Sequence, residues 1–523
     1  MKVKNWIVQI YLFLIFGIFP LYYQNRYYNM GEAKYEFFKY STMGMLCLLG
    51  AAFLFNIMVN EQKLQKFRFS VQDWTVVLYM MAVGCSWLLS PYRGNAWSGS
   101  PEWYMGLLSQ LLFCAIYFCV SRYGGKREWT LWSMMIGGIF TCLISYLHRF
   151  QIDPLGLYEG VAEKYWITFL GTIGNANWYS SYLSVIFPVI IGMYIFGEHQ
   201  KIFRGNVYRM VWILFMFLGF ASAVTQNSDS IYAGLTAAFL IFLWFAVTKL
   251  SIFKRLWEVL IFGVLAVKVT GYLQSSFPES AIKVSKLSTE IAQGRITEVL
   301  AVILVLGYLG ICIWEAKIYD AAKDYQTVKK WVRKIRNTSY LLLLMLLILL
   351  PVLMWLVTTE KIILNSDGLL SQTGYLVFNN KWGNNRGKIW KYAMRIFTEY
   401  TPQWKIFGCG PDALMWYSKE FHQAEVQKLW KDILLTNVHN EWLNVLINCG
   451  IIGAVSYISI FGVCVIGVLK NAKRNLLLIP FAGAVLSYAA HNFFCFQQVA
   501  GTPLVFIIIA MAEYELKNIK RKL

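Results

Sequence analysis

SYLLLLMLLILLPVLMWLV, residues 339–357, contains no charged residue, and an apolar run of this length reads as a helix that crosses a bilayer. Hydrocarbon offers no water to bond the backbone, so a spanning segment must be a helix or part of a closed barrel. Continuous rather than alternating hydrophobicity selects the helix. The surrounding chain has the same character: its 523 residues are 58% hydrophobic and 17% aromatic, with a mean hydropathy of +0.48, above the range of soluble domains.

Working outward, thirteen further stretches read as spans: 5–23, 41–59, 73–89, 105–120, 129–147, 178–196, 210–224, 230–248, 256–273, 296–314, 449–469, 475–490 and 501–512. The expected fold is therefore an all-α polytopic membrane protein of about 12–14 transmembrane helices. The first stretch follows Lys2 and Lys4 but lacks a small-residue cleavage site, so it reads as a retained anchor.

Orientation follows from the basic residues of the short loops, which resist translocation. Lys2 and Lys4, then Lys63, Lys66 and Arg68, then Arg122, Lys126 and Arg127 all fall on one side. So do Lys201, Arg204 and Arg209, then Lys249, Lys254 and Arg255, the stretch 317–336, Lys470, Lys473 and Arg474, and Lys517, Lys520, Arg521 and Lys522. That side is cytoplasmic, and both termini lie there. The chain then divides into helices 1–11 over residues 1–357, a large extracytoplasmic loop over 358–448, and helices 12–14 with a cytoplasmic tail over 449–523. Chemistry in the loop has no access to cytoplasmic nucleotide sugars.

The net charge of +20 is scattered between spans, which argues against a nucleic-acid surface. The ten cysteines sit mostly inside apolar stretches and form no C-x-x-C pair, so neither a disulfide framework nor a zinc site is signalled.

Ionisable, glycine and aromatic residues are densest in the 358–448 loop, where functional groups are best sought. Residues 385–400 read as a short amphipathic helix with Arg386, Trp390, Ala393 and Phe397 on one face, ended by Thr401-Pro402. Gly408 and Gly410 permit a turn whose main-chain N–H groups approach an anion. His439 and Asn440 stand at the mouth of the next span, where an imidazole can take a proton from a sugar hydroxyl. Arg386 suits the complementary task, since a guanidinium grips phosphate oxygens and keeps its charge. Plainer roles fit the same residues: an interfacial arginine at Arg386, a hydrogen-bonded interfacial ring at His439, and helix caps at Asn175 and Asn177.

At these residues the chain resembles the O-antigen ligase and O-antigen polymerase superfamily of bacterial membrane proteins. Gly171-Thr172-Ile173-Gly174-Asn175-Ala176-Asn177-Trp178 is similar to that family's turn before a central span, with Ala176 where proline is usual. Arg386 to Trp390, followed by Gly408-Cys409-Gly410-Pro411, is similar to its arginine helix and Gly-x-Gly turn. His439-Asn440 with Leu443, then Gly450 and Gly453, is similar to its histidine motif. One departure concerns a second arginine of the family, whose equivalent position in Gln226-Asn227-Ser228-Asp229-Ser230 holds Asp229; Lys164, Arg149 and Lys381 are the candidates to compensate.

The resemblance implies a fold akin to lipid-dependent glycosyltransferases. It implies transfer of a glycan from a polyprenyl diphosphate carrier to an acceptor glycan or glycolipid at the outer face of the bacterial cytoplasmic membrane, in surface polysaccharide biosynthesis. His439 and Arg386 would be catalytic, and Asn440, Gly408, Gly410, Asn175, Asn177 and Trp390 would bind substrate. Neither a metal nor another cofactor is implied, and the partners are the lipid-linked donor, the acceptor and membrane lipids, with no nucleic acid. The rival readings are a transporter or flippase for lipid-linked oligosaccharide and, among enzymes, a protein O-oligosaccharyltransferase.

Overall fold

A computed structural model describes residues 2–60, 68–125, 127–197, 205–317, 321–359, 376–431 and 434–521. Lys63, Lys66, Lys126, Lys201, Arg204 and Lys522, together with loop positions 360–375, lie outside the described residues. Each of the fourteen apolar stretches coincides with a helix. In chain order the helices are α1 (Lys2–Phe13, running on into a π turn at Leu14–Ile18), α2 (Met30–Asn60), α3 (Val71–Leu89), α4 (Arg93–Ser98), α5 (Leu107–Tyr123), α6 (Arg127–His148), α7 (Ala176–Phe196), α8 (Asn206–Thr225), α9 (Ser230–Ala246) and α10 (Leu250–Ser276). They continue with α11 (Lys286–Gln293), α12 (Arg295–Lys317), α13 (Ala321–Thr358), α14 (Trp382–Glu399), α15 (Pro402–Phe407), α16 (Leu414–Phe421), α17 (Gln423–Trp430), α18 (Glu441–Asn471), α19 (Ile479–His491) and α20 (Thr502–Arg521).

Seven segments among the described residues are long and apolar enough to cross a membrane: Met30–Val59, Glu128–His148, Ala176–Phe196, Asn206–Thr225, Arg295–Ala316, Arg336–Thr358 and Glu441–Asn471. The other stretches form helices that are shorter or more charged; α10, for example, carries Lys254, Arg255, Glu258 and Lys268. The chain is an all-α polytopic membrane protein.

Burial sorts the helices by depth. The spanning window of α7 is 94% buried, whereas those of α12 and α13 are 6% buried. α7 is the centre of the bundle, clasped by α9 and α19, while α18 packs along α3 and α20 along α5. At the periphery, Val299, Ile303 and Leu306 of α12 and Leu342, Leu344 and Ile348 of α13 are exposed. A helix that is apolar all round and yet unburied by protein is one whose solvent is lipid.

The polar ends of the bundle are tied separately. At one end Asp73 accepts Arg122 Nη1 at 2.8 Å and Lys517 Nζ at 3.0 Å, with the Tyr117 hydroxyl donating at 2.8 Å. At the opposite end a two-stranded hairpin, β1 (Phe169–Leu170) and β2 (Gly174–Asn175), leads into α7. Arg149, fully buried there, donates to the carbonyls of Thr225, Trp166, Ile167 and Gln226 at 2.7 to 3.2 Å. All three nitrogens of the guanidinium thus hold main-chain carbonyls, so Arg149 is not the free cation that could compensate for Asp229.

Candidate active site

Arg386 owes its placement to an unusual run of backbone. Gly383, Asn384 and Asn385 all have left-handed dihedrals, φ 57°, 60° and 69°, and glycine and asparagine are the residues that tolerate this conformation at least cost. The turn reverses the chain and starts the regular part of α14 at Arg386. The expected helix over 385–400 is therefore present, with Ile389, Tyr392, Ala393 and Ile396 as its buried face. Thr401-Pro402 ends it and also begins another: Pro402 is the first residue of α15, and the Thr401 hydroxyl caps it by accepting from Trp404 N at 3.3 Å.

The Arg386 guanidinium is half-buried. Its Nη1 donates to Gly383 O at 3.1 Å, but its Nε is buried without a partner. Burial pulls the guanidinium below its ordinary pKa, opposed by the nearby Cys495 thiol and the Asp229 carboxylate. Trp390, one turn further along α14, lies over the stretch that follows α19. It stacks on Phe494 with ring centroids 6.3 Å apart and meets Phe493 edge-on at 5.6 Å. Its indole N–H is also buried and unpartnered.

His439 is held from the other side. It takes a left-handed backbone, φ 52°, with its N–H donating to Asn437 Oδ1 at 3.1 Å, and its ring packs edge-on against Phe496 at 5.0 Å. Immediately after it, Asn440 caps α18 by accepting from Leu443 N at 3.0 Å. Glu441 bonds the post-α19 stretch: its N–H donates to Asn492 O at 2.9 Å, and its carboxylate accepts from Asn492, Tyr457 and Tyr488. Burial, then the positive charge of Arg386, pushes the His439 imidazole down to about 4, so the ring is neutral at pH 7. Segment 492–496 adjoins both groups: Cys495 acts on the Arg386 charge and Phe496 packs against the His439 ring.

The two glycines of the Gly-x-Gly turn serve a different end from anion capture. Gly408 N–H donates to Trp404 O at 2.7 Å and Gly410 N–H to Asn448 O at 3.0 Å, so both donors are committed inside the fold. Asn448 O is available because α18 kinks at Gly450, φ 68° and ψ −171°. A Cβ at Gly408 would lie 2.1 Å from Asn448 O, and one at Gly450 would lie 2.3 Å from Ile406 O. The two motifs therefore dock main chain to main chain, and only glycine at both positions permits it. Asn448 Oδ1 completes the joint by accepting from Ala413 N and Leu414 N at 2.9 and 3.0 Å.

Beside that joint, Asp412 has φ 56° and buries its carboxyl under the loop before α5, where Oδ2 accepts from Ser100 N at 2.6 Å and Met105 N at 3.3 Å. Burial pushes this carboxyl up to about 7. Asn175 caps α7 by accepting from Asn177 N at 2.8 Å, and Asn177 Oδ1 takes the Ser228 hydroxyl at 2.7 Å. Asp229 accepts the Ser285 hydroxyl at 2.5 Å and faces Arg386 electrostatically. Lys164 lies 4.9 Å over the exposed ring of Tyr165, and Lys381 is exposed.

Sequence reasoning missed Glu441, Asp412 and His491. His491 ends α19, fully buried, and has Arg386 as its charged neighbour just as His439 does. A signal was present, since the His-Asn pair at 439–440 recurs at 491–492 in a chain with five histidines. Among the described residues no three His, Cys, Asp or Glu side chains gather as metal ligands would. A cavity of about 480 Å³, lined by Met415, Lys419, Gln423, Gln427 and Leu434 among others, takes in none of the residues around Arg386.

Fold and site together define a membrane-embedded helical bundle whose loops at one end place an arginine within electrostatic reach of a neutral histidine. Residues 291–458 match the family described as O-antigen ligase, roughly a third of the chain and the part holding both residues. That match supports the O-antigen ligase and polymerase superfamily and suggests a part in surface-glycan biosynthesis by glycosyl transfer. No curated protein matches the chain.

Proposed function

We propose that the protein transfers a glycan from a polyprenyl diphosphate carrier to a sugar hydroxyl at the extracytoplasmic face of the bacterial cytoplasmic membrane, with both chain termini in the cytoplasm. The observation that carries this reading is the pairing of a half-buried guanidinium, one N–H still unspent, with an imidazole kept neutral. Arg386 grips diphosphate oxygens of the donor, and its charge, less screened by water in a partly buried site, offsets the negative charge that grows there as the glycosidic bond breaks. His439 takes the proton of the acceptor hydroxyl as its oxygen attacks the anomeric carbon. The bond from that carbon to the phosphate oxygen breaks and polyprenyl diphosphate departs with the electron pair. The proton then passes from His439 to solvent, and a single displacement inverts the anomeric carbon. As written, the step needs no cofactor.

The remaining candidates act by shape. Asn440, Asn175 and Asn177 fix the starts of α18 and α7, Gly408 and Gly410 dock the loop, and Trp390 offers an aromatic face beside Arg386. Most of the rate gain comes from orienting two large substrates, with one base adding about 10²- to 10⁴-fold.

The test uses purified full-length protein in detergent with a lipid-linked glycan and a panel of glycan, glycolipid and protein acceptors. Product forms without a sealed bilayer, and His439→Ala lowers turnover by about 10²- to 10⁴-fold. Full turnover in that variant removes the base from the scheme. Absence of product in detergent, alongside movement of lipid-linked glycan across vesicles, favours a flippase instead.

A further inference from the structure

One ring separates Trp103 from His439. The indole of Trp103 meets Phe496 edge-to-face with centroids 4.8 Å apart, and Phe496 meets the His439 imidazole edge-to-face at 5.0 Å. Trp178, at the start of α7, also meets Trp103 edge-to-face, at 5.6 Å. Among the described residues no aromatic ring lies parallel to this indole, and its N–H bonds to none of them. The side chain is only half-buried. A tryptophan that serves packing alone is usually deep in the core, with its N–H bonded.

The backbone that carries Trp103 is strained on both sides of it. Glu102 and Tyr104 have left-handed dihedrals, φ 71° and 53°, and neither has the short polar side chain that eases asparagine and aspartate into this region. Residues in such a conformation persist only where their surroundings over-determine them, and they gather at binding sites. Here the Asp412 carboxyl holds both ends of the segment through Ser100 N and Met105 N. Trp103 N and Tyr104 N both donate to Ser100 O, at 3.2 and 2.9 Å, and the Ser109 hydroxyl donates to Tyr104 O. The Tyr104 ring stacks on Tyr35 at 4.4 Å. What these restraints fix is the direction in which the one residue between the two strained positions leaves the chain.

We propose that Trp103 is the binding platform for the acceptor sugar: a pyranose lies on the indole and presents its attacking hydroxyl to His439. The weakly positive C–H groups on one side of a pyranose ring complement the negative face of an aromatic ring, so the acceptor is a pyranose with at least one side free of axial hydroxyls. This inference rests on the reading of His439 as the base for the acceptor hydroxyl. It divides the aromatic residues of the site between the substrates: Trp390 accompanies Arg386 and the donor, and Trp103 accompanies His439 and the acceptor.

Saturation-transfer NMR titration of purified full-length protein, in a detergent that carries no sugar, is the test. The probes are methyl glucopyranoside, galactopyranoside and mannopyranoside, the open-chain alditols glucitol, galactitol and mannitol as controls that offer hydroxyls without a ring face, and farnesyl diphosphate for the donor side. At least one pyranoside binds the parent more tightly than its alditol. Trp103→Ala weakens that pyranoside by at least about tenfold, or about 1.4 kcal/mol, and Trp103→Phe, which keeps an aromatic face, recovers most of the loss. Farnesyl diphosphate binds the parent and both variants alike, which shows that they fold. In turnover the same loss appears in the KM for the acceptor and not in the KM for the lipid-linked donor; a rise in the donor KM instead overturns the assignment to the acceptor. Pyranoside binding that survives Trp103→Ala, or a parent that does not prefer the ring to the alditol, overturns the platform, and the proposed function still stands if Arg386→Gln abolishes farnesyl diphosphate binding. A loss in Trp103→Ala shared equally by farnesyl diphosphate assigns Trp103 to the architecture and ends the proposal. Pyranoside binding that needs Trp103, alongside farnesyl diphosphate binding indifferent to Arg386→Gln, keeps the platform and overturns the donor site.

Discussion

Replacing Asp412 by asparagine tests whether the loop that carries it is latched by a buried neutral carboxyl. Oδ2 of Asp412 accepts two main-chain N–H groups, from Ser100 and Met105, and an asparagine carbonyl can accept the same pair while tolerating the left-handed backbone at this position. Burial raises the carboxyl from 3.8 to about 7 in the folded protein. A raised folded pKa means that the folded state holds the proton more tightly than the unfolded chain. The associated stability is complete below pH 3.8 and is lost as the pH rises through 7. At 1.36 kcal/mol per unit, the parent protein loses about 3 kcal/mol between pH 5 and pH 8.5 from this group alone. Asp412→Asn is blind to that window, so its unfolding free energy relative to the parent rises by about the same amount across it. Parallel unfolding series in detergent at pH 5, 6, 7 and 8.5 give the difference directly, with other titrating groups cancelling between the two proteins. A difference that stays flat from pH 5 to 8.5 refutes the buried neutral carboxyl, and one that narrows toward high pH reverses the sign of the argument.

Two further outcomes follow from the same joint and from the charge beside His439. Gly450→Ala forces a Cβ to within 2.3 Å of Ile406 O at φ 68°, which costs on the order of 2 kcal/mol or more in strain and displaced backbone; an unchanged unfolding temperature contradicts the backbone-to-backbone docking. The base-dependent limb of kcat/KM lies near pH 4, where the His439 ring gains its proton, so the profile is flat from about pH 5.5 to 8. Arg386→Gln removes the second cause of that depression and moves the limb upward toward the ordinary imidazole value. A limb at pH 6.5 in the parent protein contradicts the burial of the ring.

The fold was legible because hydrophobic length is a strong signal: segments such as 339–357 and 178–196 admit no soluble reading, and every apolar stretch coincides with a helix. Their depth was not legible. The first is a lipid-facing wall and the second the buried centre of the bundle, a distinction set by neighbours rather than by composition. At the site, Arg386 and His439 were named from residue type and motif order, and the structure sets the guanidinium close enough for its charge to act on the ring. The tasks of the glycines and asparagines were harder to read, because an unpaired main-chain N–H and a committed one look alike in sequence. Gly410 N–H is spent on Asn448, and Asn440 on its own helix. His491 escaped notice because it closes an apolar helix, where a histidine reads as packing until the fold brings Arg386 within electrostatic reach of its ring.

The left-handed run at 383–385 constrains how this surface can vary. Asn384 and Asn385 are exposed and, by ordinary expectation, replaceable. Yet a residue other than glycine, asparagine or aspartate there carries roughly 1–2 kcal/mol of conformational strain, which acts on the direction in which the next side chain, Arg386, leaves the chain. Drift that a solvent-facing turn usually absorbs in silence is here transmitted to the aim of a single cation, so this short surface turn has the intolerance of a packed interior.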